Sequence, residues 1–205
     1  MLSVWGILLV CLGHSGFREP IIMDSLNGLH SWIYGFHMPL FFLISGYLFS
    51  LTNKSFVEID VVKFLKKKVL RLLVLYVVLG TVIYGIKYAL SGLSHAARDF
   101  TVGNFFKMFV APGCEGSTIG YLWYVVTLFV VFALVVALCK VRVDLTKPGW
   151  CLAVMVASWT FFFAGPKVEW FNFKAVCQYL PYFVVGILYH HYEPKVQSLV
   201  DWGGN

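Results

Sequence analysis

Two histidines adjoin long apolar stretches, and their side chains are the first candidates for chemistry in this sequence. His14 follows the run "MLSVWGILLVCLG", and His37 stands inside "GFHMPLFFLISGYLF", residues 35–49. Imidazole titrates near neutral pH and is the usual general base for removing a proton from a hydroxyl group. A polar group at membrane depth is a functional-site hypothesis by default, although a histidine can also reach the interface or bond a neighbouring helix.

Three further residues of the second stretch bear on that hypothesis. Pro39 removes a backbone donor and its ring clashes with the preceding turn, so it predicts a kink that opens room for water or substrate beside His37. Ser45 and Gly46 favour the close approach of another helix. For this pair, packing is preferred over a catalytic role of Ser45.

A basic cluster is the second candidate site. The segment "KKKVLRLLVLY" contains Lys68 and Arg71, which are three residues apart and therefore predicted to share one helix face at the headgroup level. Such a pair can hold phosphate, with arginine acting as a fork and lysine as a point charge. The alternative, favoured by composition alone, is that the cluster anchors the chain to anionic lipid.

Other tryptophan, tyrosine, histidine and cysteine residues, which often take part in catalysis or metal binding, are not assigned to a site. Trp123 and Tyr124 begin the segment "WYVVTLF" and are typical of an outer aromatic belt. His190 and His191 are adjacent and therefore do not share a helix face. The five cysteines are scattered without metal-like or disulfide-like spacing, so we assign neither a metal site nor a redox role.

The elements that must position these residues are membrane spans. Hydrophobic residues make up 60% of the chain and charged residues 13%, whereas soluble domains carry about 25% charged residues. Crossing a bilayer takes roughly 20 apolar residues. Windows of about this length lie near 31–51, 69–91, 120–139, 149–165 and 176–192.

The opening segment, residues 1–13, is interpreted as a sixth and shorter span. It rises only about 20 Å as a helix, less than the roughly 30 Å of the hydrocarbon core, so its cytoplasmic end is expected to be missing. The alternative is a signal-peptide core, but no basic residue precedes it and no cleavage site follows. We predict an all-α polytopic bundle of about six transmembrane helices, forming a single domain over residues 1–205 that is incomplete at both ends.

The charge distribution predicts the orientation of these spans. The net charge is +6, with six basic residues between positions 54 and 71 and three between 140 and 147. Basic loops stay in the cytoplasm, so the odd-numbered spans run outward and the even-numbered spans inward. The positive charge is attributed to the basic loops that set the membrane topology and to their attraction to anionic lipid headgroups. No nucleic-acid partner is expected.

This orientation places both candidate histidines on the outer side. His37 is predicted to lie about six residues into the second span, roughly 9 Å below the outer edge. The first two spans are antiparallel neighbours joined by a loop over 15–30, so the two imidazoles are predicted to share one cavity. The outer segment "VGNFFKMFV" is predicted to form a short interfacial helix with Phe105, Phe106 and Phe109 on one face.

The order of five segments resembles the acyltransferase 3 family of integral membrane acyltransferases. They are "ILLVCLGHS", "FHMPLFFLISGYLF", "FLKKKVLRLLVLY", "YLWYVVTLF" and "LPYFVVGIL", and together they span essentially the whole chain. The element "HMPLFFLISG" is the most specific of them. Better-known members of the family place acetyl or other acyl groups on surface sugars.

The resemblance implies a donor, an acceptor and roles for the candidate residues. Acyl-CoA, such as acetyl-CoA, is the cytoplasmic donor substrate, and no tightly bound cofactor is expected. The acceptor is a surface glycan or a lipid-linked sugar on the outer side. His14 corresponds to the family's catalytic histidine with His37 as its support, and Lys68 and Arg71 correspond to a basic pair linked to the acyl donor.

The sequence also departs from the family pattern. Ser3 stands where a basic residue normally precedes the catalytic histidine, and Leu75 replaces a proline before Tyr76. Family members typically have more spans in a longer chain, which strengthens the expectation of an incomplete chain.

The leading hypothesis is therefore a multi-pass O-acyltransferase of the inner (cytoplasmic) membrane. The alternative is a non-catalytic membrane remnant or packing subunit. A proton-coupled transporter is disfavoured, since no carboxylate lies inside a predicted span and no inverted repeat is present.

Overall fold

A computed structural model describes the backbone of residues 20–53, 55–90, 102–110, 122–165 and 170–203. Side chains are described for 35–53, 55–89, 103–106, 109, 122–165 and 171–194. Over these ranges the chain is predominantly helical and contains no strand, which confirms the all-α prediction. The predicted first span and His14 lie outside the described residues.

The first described helix, α1 (Pro20–Thr52), is longer than the span predicted near 31–51. The predicted loop over 15–30 is therefore wrong from residue 20 onward. Proline is favoured at the first helical position because its fixed φ suits the helix and its missing N–H would have no partner there. The prediction that His37 lies about six residues into its helix is wrong for the same reason, although the helix ends where expected.

A second helical stretch runs without interruption from residue 61 to residue 90. It consists of α2 (Val61–Lys68), a π-helical turn (Val69–Leu73) and α3 (Val74–Leu90). The side chain of Asp60 accepts a hydrogen bond from the Lys63 N–H at 3.1 Å and so caps the start of α2. The predicted span near 69–91 consequently begins earlier than expected, because the lysine-rich segment is itself helical.

The segment "VGNFFKMFV" forms the predicted short helix, α4 (Val102–Val110), and its interfacial location stays a prediction. Phe105 and Phe109 pack against the cluster around Tyr76, and the rings of Tyr76 and Phe109 lie 6.0 Å apart. The side chain of Phe106 is 62% exposed. The common face of the three phenylalanines in an interfacial helix stays a prediction.

The remaining helices are α5 (Trp123–Lys140), α6 (Pro148–Ala164) and α7 (Phe173–Gly203). A short 3₁₀ turn, Trp170–Asn172, precedes α7. The ends of α5 and α6 agree closely with the predicted spans near 120–139 and 149–165. By contrast, α7 extends well beyond the predicted span near 176–192.

Three helical segments of the described chain are long and apolar enough to cross a membrane: Gly35–Thr52, Val61–Ala89 and Trp123–Lys140. The apolar helix α6 is shorter, and α7 is not among the three. The protein is therefore an integral membrane protein, and the number of six spans stays a prediction.

The chain divides into two compact units, which we describe separately. The first unit comprises residues 1–52 and 182–205, so its described core lies between α1 and the later part of α7. Phe42 and Phe49 of α1 and Phe183 and Ile187 of α7 are buried, and the rings of Phe49 and Phe183 lie 5.9 Å apart.

The second unit comprises residues 53–181. Its core includes the fully buried Val131, Val135 and Val136 of α5, of which Val131 and Val135 are four residues apart on one helix face. The hydroxyl of Ser158 donates to the Cys177 carbonyl at 2.7 Å and joins α6 to the start of α7.

A compact turn connects α5 to α6. The Asp144 carboxylate accepts hydrogen bonds from the Thr146 hydroxyl at 2.6 Å and from the Thr146 N–H at 3.1 Å. The hydroxyl bond to the ionised form is the main reason why the pKa of Asp144 lies below its ordinary value. At neutral pH this carboxylate is therefore charged and holds the turn closed.

Candidate functional site

The structure places His37 in the interior of the first unit. The side chain is only 4% exposed and belongs to the part of α1 that is long and apolar enough to cross a membrane. A buried titratable side chain on such a helix is the environment expected of a functional histidine. Because His14 lies outside the described residues, the shared cavity stays a prediction.

Pro39 lies two residues beyond His37, and α1 continues through it. Proline has no N–H, so the carbonyl of Gly35, four residues earlier, loses its helical donor. A Cβ built on Gly35 would meet no atom within 4 Å in the described part of the protein. The access of water or substrate near His37, which Pro39 is expected to open, stays a prediction.

Two glycines bring α1 and α7 into direct backbone contact. A Cβ added at Gly46 would overlap the carbonyl oxygen of Phe183, and a Cβ added at Gly186 would overlap that of Leu43. Each helix thus contributes one glycine to a reciprocal crossing, the arrangement that small residues allow in membrane helices. Ser45 is half-buried beside this crossing, in keeping with the packing interpretation.

Four polar side chains connect the same two helices beyond the crossing. The Tyr47 hydroxyl donates to Glu193 Oε2 at 2.8 Å, and Ser50 Oγ is hydrogen-bonded to His190 Nδ1 at 3.0 Å. The rings of Tyr47 and His190 meet edge to face at 5.1 Å. We call these four residues the α1–α7 clasp. Two hydrogen bonds set one turn apart oppose rotation of one helix against the other.

In the second unit, the two residues of the predicted basic pair have different surroundings. The ammonium of Lys68 lies 3.6 Å from the ring centroid of Phe132 and 5.3 Å from that of Phe64, whereas Arg71 is exposed. A π-helical turn begins directly after Lys68, and in it the Val74 N–H donates five residues back to the Val69 carbonyl. The common face of Lys68 and Arg71 stays a prediction.

Trp123 is held by both its backbone and its ring. Its carbonyl accepts from the Thr127 hydroxyl at 3.0 Å and from the Asn172 amide at 3.3 Å, and its ring lies 5.5 Å from that of Tyr179. Tyr124 is half-buried. Since the Trp123 side chain is itself only half-buried, this network fixes a partly accessible indole at the start of α5.

Asn172 has a positive φ of 53°, a conformation that asparagine adopts more readily than alanine does. We expect Asn172→Ala to lower the stability of the protein by about 2 kcal/mol, because it loses the amide hydrogen bonds and adds backbone strain. Asn172→Gly loses the same bonds without the strain and should unfold at a higher temperature than Asn172→Ala. Thermal unfolding in detergent compares the variants, and equal melting temperatures would contradict the strain at this position.

Residues 3–203 match the family model described as an acyltransferase domain, Acyl_transf_3. The chain belongs to the acyltransferase 3 family. The resemblance carried by the five sequence segments is thereby confirmed, and with it a membrane acyltransferase as the general class of activity. No curated protein and no solved structure matches the chain.

Several residues of this acyltransferase 3 protein were missed by sequence reasoning. Gly186 and the clasp residue Glu193 are recognisable only through their partners on α1. Among the described residues, no group of three His, Cys, Asp or Glu side chains lies close enough to hold a metal ion.

Proposed function

We propose that this acyltransferase 3 protein moves an acyl group, acetyl in the first instance, from cytoplasmic acyl-CoA to a hydroxyl of a surface glycan or lipid-linked sugar. It would act as a multi-pass protein of the cytoplasmic membrane. Family membership over nearly the whole chain supports the acyltransferase class. The structural observation that supports the proposal is the burial of the His37 imidazole in a helix segment long and apolar enough to cross a membrane.

In the proposed reaction, the sugar hydroxyl attacks the thioester carbonyl of the acyl donor. His14 accepts the hydroxyl proton as the new C–O bond forms and the C–S bond breaks, and the proton then leaves with the CoA thiol. His37 orients His14 or the sugar hydroxyl. Support for this division of roles comes from the family pattern at His14 and from the burial of His37.

The donor is proposed to enter from the basic end of the Val61–Leu90 helical stretch. Lysine and arginine side chains there carry the charge needed to hold the phosphates of CoA. Sequence reasoning selected Lys68 and Arg71 for this role. The competing ligand for the same charges is the anionic headgroup of a membrane lipid.

The test is acyl transfer by the chain itself, reconstituted in proteoliposomes with radiolabelled acetyl-CoA and a lipid-linked oligosaccharide extract. We expect label in the saccharide fraction, and parental rates in the His191→Ala variant, whose side chain is exposed on α7. A folded, monodisperse protein that transfers no label from acetyl-CoA or longer acyl-CoA thioesters would contradict the proposal. That result would favour the non-catalytic membrane subunit.

A further inference from the structure

Arg142 directly follows the end of α5 in a backbone conformation that its side chain disfavours. Its φ is 65°, in the left-handed region where many helices end with glycine, because a Cβ is unfavourable there. The Arg142 N–H donates to the Cys139 carbonyl at 3.2 Å, and the Val143 N–H donates to the Leu138 carbonyl at 3.0 Å. Glycine would make the same backbone bonds without the strain, so these bonds do not account for an arginine at this position.

The Arg142 side chain is exposed. Within the described residues its guanidinium has no hydrogen bond or ion pair, whereas Lys147 of the same turn lies 3.6 Å from the Asp144 carboxylate. A cation in the last turn of a helix interacts favourably with the helix dipole, but Lys140 already supplies one there. An arginine that is strained and has no partner in the described chain points to an anion outside it, and a guanidinium matches a phosphate or a carboxylate best.

The start of α2 and the end of α5 lie side by side. The Lys140 Nζ donates to the Val57 carbonyl at 2.7 Å, and the rings of Phe64 and Phe132 meet edge to face at 5.9 Å. The Val61–Ala89 segment has 29 residues and is about 43 Å long, more than the roughly 30 Å of a hydrocarbon core. Its lysine-rich start and the α5–α6 turn beside it are therefore expected at the level of the lipid headgroups.

Exposed valines adjoin the cations at this end of the second unit. Val141 is 71% exposed, Val62 is 77% exposed and Val57 is 63% exposed. Val141 precedes Arg142, and Val62 precedes the exposed Lys63. Apolar side chains interspersed with cations at headgroup level are typical of a surface that lies on anionic lipid. We call this the valine–cation surface, and it consists of Val57, Val62, Lys63, Lys140, Val141 and Arg142.

We propose that the valine–cation surface binds the headgroup of an anionic phospholipid, with the Arg142 guanidinium on its phosphate. Val141 and Val62 contact the glycerol backbone and the upper acyl chains of the same leaflet. A soluble anion would satisfy the arginine but would leave the valines in water, so the combination favours a lipid. This binding does not depend on the proposed acyl transfer.

Nearby carboxylates weaken the attraction without cancelling it. Asp144 is bonded to Thr146 and paired with Lys147, so its charge is compensated within the turn. Glu58 and Asp60 are exposed near the start of α2. The three basic side chains of the valine–cation surface and the other exposed lysines of α2 exceed these two charges.

Thermal unfolding in nanodiscs tests the proposal. We expect the parent protein to melt about 5 °C higher in phosphatidylglycerol than in phosphatidylcholine, because each cation near an anionic surface adds to the attraction. Arg142→Gly should lose about half of this lipid-dependent difference, because the guanidinium is gone. In phosphatidylcholine the same variant should melt at or above the parental temperature, because glycine relieves the strained backbone.

Two further variants separate the charge of Arg142 from its backbone. Arg142→Gln keeps a long side chain at the same φ, so it should lose the same part of the difference while melting at the parental temperature in phosphatidylcholine. Lys174→Gln is the matched control, because it removes an exposed cation near the other end of α6, where the ammonium lies 5.2 Å from the Phe162 ring centroid. This control should keep the parental difference between the two lipids.

Three results would overturn the proposal. Equal melting of the parent in both lipids would show that the surface has no preference for an anionic headgroup. An equal loss of melting temperature in both lipids for Arg142→Gly and Arg142→Gln would show that Arg142 acts only within the protein. Coenzyme A, added in phosphatidylcholine, probes a soluble ligand: stabilisation of the parent but not of Arg142→Gln, with an unchanged lipid difference, would assign Arg142 to that ligand.

Discussion

Alanine in place of His14 is expected to lower kcat for acyl transfer by about two to four orders of magnitude, the usual contribution of a positioned general base. The sugar hydroxyl is a poor nucleophile unless its proton is removed as it attacks, and alanine cannot remove it. Alanine in place of His37 should lower the rate by about one to two orders of magnitude, because a supporting imidazole improves the geometry of the attack. Initial rates with labelled acetyl-CoA measure both effects.

The two histidine variants need different controls. His191→Ala controls for the loss of an imidazole as such, because His191 is exposed. His37→Asn keeps one polar nitrogen in the buried position and should recover part of the rate that His37→Ala loses. Parental activity in His14→Ala would exclude His14 as the base, and a larger loss in His37→Ala than in His14→Ala would reverse the two roles.

Gly46→Ala and Gly186→Ala are expected to have the second largest effect. The added methyl group would overlap a backbone carbonyl of the facing helix, which cannot move aside as a flexible side chain does. The helices must separate, and overpacking of this kind costs about 1–3 kcal/mol. We expect each variant to melt at a clearly lower temperature in detergent and to lose part of its activity, since His37 lies on the displaced helix.

Gly85→Ala is the matched control for these substitutions. A Cβ at Gly85 on α3 would meet nothing within 4 Å in the described structure. The substitution should therefore be neutral or raise the stability by up to about 1 kcal/mol through better helix propensity. The double variant Gly46→Ala/Gly186→Ala should cost less than the sum of the single variants, because both act on one crossing. Full additivity would show that the two sites are independent.

The apolar pattern predicts the helices best where it has sharp boundaries. The long apolar run of α5 ends at Lys140, and α6 begins at Pro148, a favoured first residue of a helix. The start of α1 could not be found in this way, because residues 20–30 include polar side chains that are typical of a loop as well as of a helix. The start of α2 was missed for a related reason, since lysines are good helix formers that add no apolar signal.

The features of the candidate site that depend on local sequence were predicted, and those that depend on tertiary structure were missed. Burial of His37 follows from its apolar neighbours in sequence, and the close helix approach at Gly46 was expected from its size alone. The π-helical turn at Val69–Leu73 was not predicted, because no sequence signal marks it. The clasp joins residues more than one hundred positions apart, so its pairs depend on tertiary structure.

A small rotation of α1 at the reciprocal glycine crossing would move the parts of the helix that lie far from it. Gly46 is nine residues beyond His37, about 14 Å along the helix axis, so a rotation of about 4° at the crossing would carry the imidazole about 1 Å. A displacement of that size at a reacting group can cost a hundredfold in rate. Tyr47 and Ser50 lie on the other side of the crossing from His37. They are hydrogen-bonded to Glu193 and His190 of α7. The angle of the α1 segment that carries His37 is thus set by hydrogen bonds that lie far from the His37 imidazole.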